Sequence, residues 1–257
     1  MKQGLYYKAV YGFLRWIYPC AKTLYEEVPE EAGVFVCNHA AIRGPVMMTL
    51  DFPRPHKTWA VSLSMNKEAA KSYAFHDVFF GESRKHKWFY RFLSRIVAIA
   101  LPPLVRGAQT IPVYHDTRIL NTFKQSVKTL EAGEDLVIFA EKPERYSQFV
   151  CRINDGFISL AAMYYRRTKK ILKFYPVYVE KKSGQICVGK PVAYDPEEPM
   201  DAQKERIGCY LTENIHRLGR SLPPHKPVPF VPQRWYDAYG QYENDVPGYW
   251  KMIQNDR

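Results

Sequence analysis

The sequence predicts an α/β domain with a mixed central sheet flanked by helices, and two observations carry that prediction. Short apolar runs of strand character ("GVFVCN", "TWAVSL", "AQTIPVY", "DLVIFAE", "LKFYPVYVE" and "GQICVGKPV") alternate with segments whose apolar residues recur at helical spacing. Strands and helices in alternation bury a sheet between helical layers. The chain has 257 residues, 46% hydrophobic and 25% charged, enough to close one domain around a sizeable core.

Taken in order, residues 5 to 20 place Leu5, Tyr6, Val10, Phe13, Leu14 and Ile17 at helical spacings with Lys8 and Arg15 among them. This reads as an amphipathic helix, either docked on the chain's own core or lying on a membrane surface. "GVFVCN" is a buried strand that delivers Asn38 and His39 into a loop. Gly44-Pro45 then opens a helix, since a proline in the first turn loses no intrahelical bond. "TWAVSL" is a strand, and a long basic helical region follows from about Asn66 to Ala100. After the strand "AQTIPVY", Thr117 to Ala132 is helical, with Gly133 as its stop. "DLVIFAE" is the clearest buried strand. Phe157 to Arg167 is helical, two strands follow, and Asp201 to Leu218 closes with a helix. The organisation expected is an N-terminal helical segment over 1–25, an α/β domain over 26–220 and a tail rich in Pro and aromatics over 221–257.

A formal charge of +11 together with 19 Tyr, 14 Phe and 5 Trp suits an anionic surface. Nucleic acid is not expected, because no zinc-ligand spacing, RNP-like aromatic motif or recognition-helix signature accompanies the charge. The five cysteines are scattered singly, which suggests neither a metal site nor a disulfide framework and fits a reducing compartment. The N-terminus has no continuous apolar core or cleavage signal and is expected to be retained. The longest apolar stretch, Ile96 to Val105, is about half the ~20 residues a span needs and contains Pro102-Pro103, so no span is expected.

Four stretches, each at the end of an expected strand, gather the residues with chemistry: "NHAAIRGP" (Asn38 to Pro45), "GAQTIPVYHD" (Gly107 to Asp116), "IFAEKPER" (Ile138 to Arg145) and "YPVYV" (Tyr175 to Val179). Their order and placement resemble the lysophospholipid and glycerol-phosphate acyltransferases, the PlsC-like family. The blocks of that family read NHxxxxD, a strand ending in PVxR, then FPEGTR, then a strand with a central Pro-Val. The resemblance extends to roughly Leu218.

It implies a glycerol-phosphate acyltransferase-like fold and transfer of a fatty acyl group from acyl-CoA or acyl carrier protein to a lysolipid or glycerol-phosphate-like hydroxyl. Those thioesters would be co-substrates, with no other cofactor and no metal. It makes His39 the general base and places Asn38, beside it, among the substrate-binding residues. It gives Glu141 the organising carboxylate of the third block, and makes Arg43, His115, Arg118, Lys142 and Arg145 the groups for an acceptor phosphate. It also implies a peripheral position on the cytoplasmic face of the cell membrane, against anionic lipid.

The departures are specific. Gly44 stands where the family has the aspartate that orients the base, and Pro45 still follows. His115 replaces the arginine of the second block. In the third, Phe139 and Glu141 remain while Ala140 and Lys142 replace proline and glycine, with Pro143-Glu144 next and Arg145 one place late. Loss of an orienting carboxylate costs about 10⁴ in turnover in the serine-protease template. Glu141, Asp116 and Asp51 are the carboxylates that could take its place. A non-catalytic descendant that keeps the fold and binds lipid or acyl chains is the alternative.

Overall fold

The computed structural model describes residues 4–18, 20–79, 85–114, 116–142, 149–180 and 182–230. Eight strands, β1 (Lys22–Tyr25), β2 (Val34–Cys37), β3 (His56–Val61), β4 (Ile111–Val113), β5 (Asp135–Ile138), β6 (Lys173–Glu180), β7 (Gln185–Val188) and β8 (Val192–Ala193), form one sheet. Its order is β1-β7-β6-β2-β5-β3-β4, with β8 on β6. The pairs β2/β5, β2/β6, β3/β5, β3/β4 and β1/β7 are parallel, while β6/β7 and β6/β8 are antiparallel. The mixed sheet follows from the connections: long crossovers join the parallel strands, and the short turn at Gly184 (φ 63°) sends β7 back along β6. Strand β1, which the sequence reading leaves with the N-terminal helical segment, is an edge of the sheet.

The central strands are buried on both faces, as parallel strands with helical cover must be. Alternation sorts their side chains. Val34 and Val36 of β2 and Leu136 and Ile138 of β5 face one core, with Leu130, Ile158, Leu160, Ile207, Leu211 and Ile215. These come from helices α5 (Ile119–Glu131), α6 (Leu160–Thr168) and α7 (Met200–Ser221) and the 3-10 turn before α6. Phe35, Cys37 and Val137 face the other core, with Tyr175, Val177 and Met47 and Met48 of helix α2 (Arg43–Asp51). The Phe35 and Tyr175 rings stack there at 4.8 Å, and Phe52 meets Phe35 edge-on at 4.9 Å.

Three further helices form one end of the molecule: α1 (Leu5–Ile17), α3 (Lys67–Tyr73) and α4 (Lys87–Gly107). The single basic helix expected from Asn66 to Ala100 is divided. Asn66 caps α3 by accepting from the Glu68 and Ala69 amides, and a π turn over Ala74–Val78 ends it. Helix α4 then continues through Pro102 and Pro103 to Gly107. The two prolines leave the carbonyls of Ala98 and Ile99 without their donors four residues on, and the Tyr6 hydroxyl of α1 donates to the next carbonyl, that of Ala100, at 3.1 Å. With 21 residues, α4 is long and apolar enough to cross a membrane by length and composition, and 17% of its most apolar window is buried. The sequence reading missed this by ending the helix at Ala100.

The starts of β5 and β2 and the segment entering β3 are fastened by an ion pair between a half-buried arginine and a buried carboxylate. Arg54 donates from Nε to Asp135 Oδ2 at 2.5 Å and from Nη2 to Oδ1 at 3.3 Å, and Asp135 Oδ1 also accepts the Gly33 amide at 2.9 Å. Arg54 also donates to the carbonyls of Pro29 and Glu31, and the bonded carboxylate holds the guanidinium protonated.

Candidate active site

Neighbouring parallel strands bring the second pair of chemical groups together. Val36 of β2 lies opposite Ile138 of β5, and three residues further along each strand stand His39 and Glu141. The loops leave at the carboxyl ends of adjacent strands, where open α/β sheets place their sites. The contact follows the register. His39 Nδ1 lies 3.2 Å from Glu141 Oε1, and the same oxygen accepts the His39 backbone amide. The other oxygen, Oε2, accepts the Cys151 amide at 2.9 Å. The Glu141 side chain is 3% exposed and that of His39 18%.

A buried carboxylate is tolerated only where hydrogen bonds replace water, and Glu141 has two amides and an imidazole. Glu141 Oε1 meets Nδ1 as it meets the His39 amide, so Nε2 is the ring nitrogen that the carboxylate does not engage. Of the three carboxylates considered for an orienter, Glu141 is the one that meets the His39 ring. The other two candidates are engaged elsewhere: Asp51 pairs with Arg15, and Asp116 holds Arg118.

The structure also explains Gly44. Ala40 and Ala41 both have positive φ, 44° and 56°, which tightens the loop so that the Gly44 amide donates to the His39 carbonyl at 2.9 Å. A Cβ at Gly44 would lie 2.5 Å from that carbonyl oxygen and 2.6 Å from the Asn38 carbonyl oxygen. No carboxylate fits at position 44 while the loop keeps this course. Two consecutive non-glycine residues in the left-handed region cost about 1–2 kcal/mol each, and the loop carries them beside the histidine.

The remaining expected residues are dispersed. Asn38 is buried, and its amide brackets Val179 of β6, accepting from the Val179 amide at 2.7 Å and donating to the carbonyl at 3.2 Å. It fixes the strand end from which His39 emerges. Arg43 begins α2 and forms no ion pair among the described residues. Arg118 is exposed, grips Asp116 with Nε and Nη2 and lies over the Tyr114 ring. The Lys142 amide donates to the Arg152 carbonyl at 2.8 Å, beside the bridge from Glu141 to Ile153. His115 and Arg145 lie outside the described residues.

Neither a family model nor a curated protein sequence matches the chain. Among solved structures it is similar to the crystal structure of the 1-acyl-sn-glycerophosphate (LPA) acyltransferase PlsC from Thermotoga maritima. The two share 11% identity, and the match covers 85% of this chain and 79% of that one at a TM-score of 0.47.

Several residues of the site carried no expectation from the sequence. Cys151, ten residues on and beside the bridge from Glu141 to Ile153, supplies an amide to Glu141, and nothing local in the sequence marks it for that contact. Burial, then the Glu141 charge, pushes the Cys37 thiol well up, and burial, then Glu180, raises the Tyr178 hydroxyl. Both stay protonated. His216, lowered by burial and then by Arg220, stays neutral at neutral pH. Phe139 flanks the His39 ring at 5.2 Å, and Phe230 stacks on it at 3.9 Å with 20° between planes.

At the helical end of the molecule, α1 exposes Leu5, Phe13, Trp16 and Ile17, and α4 exposes Trp88, Phe92, Ile96 and Ile99. Tyr7 packs against Gly107 where the two helices meet. Lys87, Arg91 and Arg95 recur every fourth residue on α4, giving it a cationic stripe.

Proposed function

We propose that the protein is an acyltransferase that moves a fatty acyl group from a thioester, acyl-CoA or acyl carrier protein, to the hydroxyl of a lysolipid or glycerol-phosphate-like acceptor. The observation that carries this reading is the His39 Nδ1 to Glu141 carboxylate contact at the ends of two adjacent parallel strands. It pairs a base with an orienter, the arrangement that activates a hydroxyl. His39 Nε2 takes the acceptor's proton as the oxygen attacks the thioester carbonyl carbon. The tetrahedral intermediate then expels the thiolate, which takes the proton back from His39. Glu141 keeps the ring in the required tautomer and offsets the charge of the imidazolium. Arg43, Lys142 and Arg145 are the cations this reading assigns to an acceptor phosphate, with His115 as a hydrogen-bonding neighbour, while Arg118 is held by Asp116.

Exposed aromatic and aliphatic residues on α1 and α4, the cationic stripe and the +11 charge support a seat on anionic lipid at the cytoplasmic face of a membrane. Each basic residue near such a surface adds about 1 kcal/mol. Helix α4 lies in the interface on this reading, because a helix with a charged stripe along one side keeps that side in the headgroups.

Gly44 favours one other reading, a descendant that binds lipid without turnover. The deciding experiment is thiol release from long-chain acyl-CoA and acyl carrier protein, with a panel of lysolipid acceptors. Turnover in the wild type that disappears in His39→Ala establishes the acyltransferase. Lysolipid binding without turnover across all donors establishes the binder.

A further inference from the structure

The segment after α7 crosses back to the site. It runs from Leu222 to Phe230 with prolines at 223, 224, 227 and 229, which restrict the backbone and lower the entropy lost when the segment is seated. Its anchor is Tyr178 of β6, 2.7 Å from His225 Nε2, while His225 Nδ1 lies 2.9 Å from the Pro223 carbonyl. A carbonyl only accepts, so Nδ1 carries the proton and Nε2 receives the Tyr178 hydroxyl. Phe149 meets Tyr178 edge-on at 5.6 Å and His225 at the same distance, closing the anchor on its apolar side. Adjacent residues of β6 thus hold both sides of the site: Val179 fixes Asn38, the residue before His39, and Tyr178 fixes the strap whose Phe230 stacks on His39.

Resting on the acyl-transfer reading above, we propose that Phe230 is a positioning residue: its ring, delivered by the proline-rich strap, covers one face of the His39 imidazole and holds it in the orientation that bonds Glu141 and presents Nε2 to the acceptor. The Glu141 contact fixes one atom of the imidazole, at 3.2 Å, and leaves the plane free to swing about it. Phe230 on one face and Phe139 beside the ring remove that freedom. They also exclude water from the imidazole, which strengthens its interaction with the carboxylate. A strap of this kind makes the base depend on a segment distant in sequence, anchored by a tyrosine whose burial keeps it a hydrogen-bond donor.

The test reads the ring directly as well as the reaction. In the full chain, the His39 ring protons are assigned by their loss in His39→Ala and compared in wild type, Phe230→Ala and Phe230→Tyr. We expect an upfield ring-current displacement in wild type and Phe230→Tyr that vanishes in Phe230→Ala. We expect kcat for acyl transfer to fall about 10- to 100-fold in Phe230→Ala, with KM within about twofold, and Phe230→Tyr to restore it. An unchanged His39 resonance in Phe230→Ala overturns the contact. An unchanged or higher kcat overturns the positioning role and makes the phenyl ring a plug. A ring-current signature in a wild type that turns over no thioester removes the acyl-transfer reading, and the catalytic role of Phe230 with it, while leaving the contact demonstrated.

Discussion

The two ends of β5 each hold a buried carboxylate, and their partners differ in kind. Asp135, at the start of the strand, is met by the Arg54 guanidinium and the Gly33 amide. Glu141, just past the end, is met by the Cys151 amide, the His39 amide and the His39 imidazole. A guanidinium is charged at every working pH, so the Asp135 pair is permanently neutralised and holds three chain segments together. The imidazole instead meets Glu141 through one ring nitrogen, Nδ1, and has a second, Nε2, for another partner. A buried carboxylate is thus fastened to a guanidinium at one end of the strand and to an imidazole at the other.

The largest effect that tests this contrast is Glu141→Gln, which keeps the shape and removes the charge. Acyl transfer should fall by about 10⁴, as when an orienting carboxylate is lost in the serine-protease template, in steady-state thiol release. A loss under about tenfold would mean that the carboxylate serves the loop rather than the base. At the other end, Asp135→Ala removes the charged acceptor of Arg54 and the Gly33 amide and should cost about 1.5–3 kcal/mol in urea unfolding. Turnover per folded molecule should hold at a temperature where the variant remains native; a selective loss of kcat would erase the distinction between the ends.

Gly44→Asp asks whether the loop after His39 can accept a carboxylate at position 44. The Cβ contacts with the Asn38 and His39 carbonyls predict no gain of activity and a loss of about 1–3 kcal/mol in thermal unfolding, the cost of overpacking. A gain would show that the loop relaxes around the new carboxylate.

The smallest effect concerns an exposed carboxylate. Glu26 accepts both Arg217 Nη atoms at 2.6 and 2.7 Å, and these bonds hold its carboxyl below the usual range. Its contribution to stability is present above the unfolded carboxyl's pKa and is lost as pH falls through the lower folded value. Solvent screening limits it to about 0–1 kcal/mol. Arg217→Met should therefore flatten the acid limb of the stability curve by no more than that amount. A larger change would mean that surface pairs in this protein weigh as much as the Asp135 pair.

The sheet was legible because its signal is local. "VFVC", "DLVI" and "FYPVYV" are apolar throughout, which marks strands with both faces covered, and the helices α5 and α7 declare themselves by their spacing. Helix α4 was misread because two consecutive prolines predict an end, whereas packing against α1 and α3 carries the helix past them. Strand β1 was missed because its four residues mix charge and apolar character, and it exists only by pairing with β7, more than 150 residues away. In the site, Glu141 stood among three candidate orienters, and nothing local separated it from Asp51 or Asp116.

By itself the sequence determined the alternation of strands and helices, the basic and aromatic character of the chain, and the delivery of His39 and Glu141 to strand ends, because periodicity and strand-end placement are properties of contiguous residues. The tertiary structure decided which carboxylate meets the imidazole, since that depends on β2 and β5 being parallel neighbours with Val36 opposite Ile138. It decided why position 44 holds glycine, through a backbone approach of 2.5 Å that only the folded loop creates. It also decided that Phe230, 191 residues beyond His39 in the chain (230 less 39), lies on its ring, for a contact between distant segments is fixed by packing and leaves no mark in either segment alone.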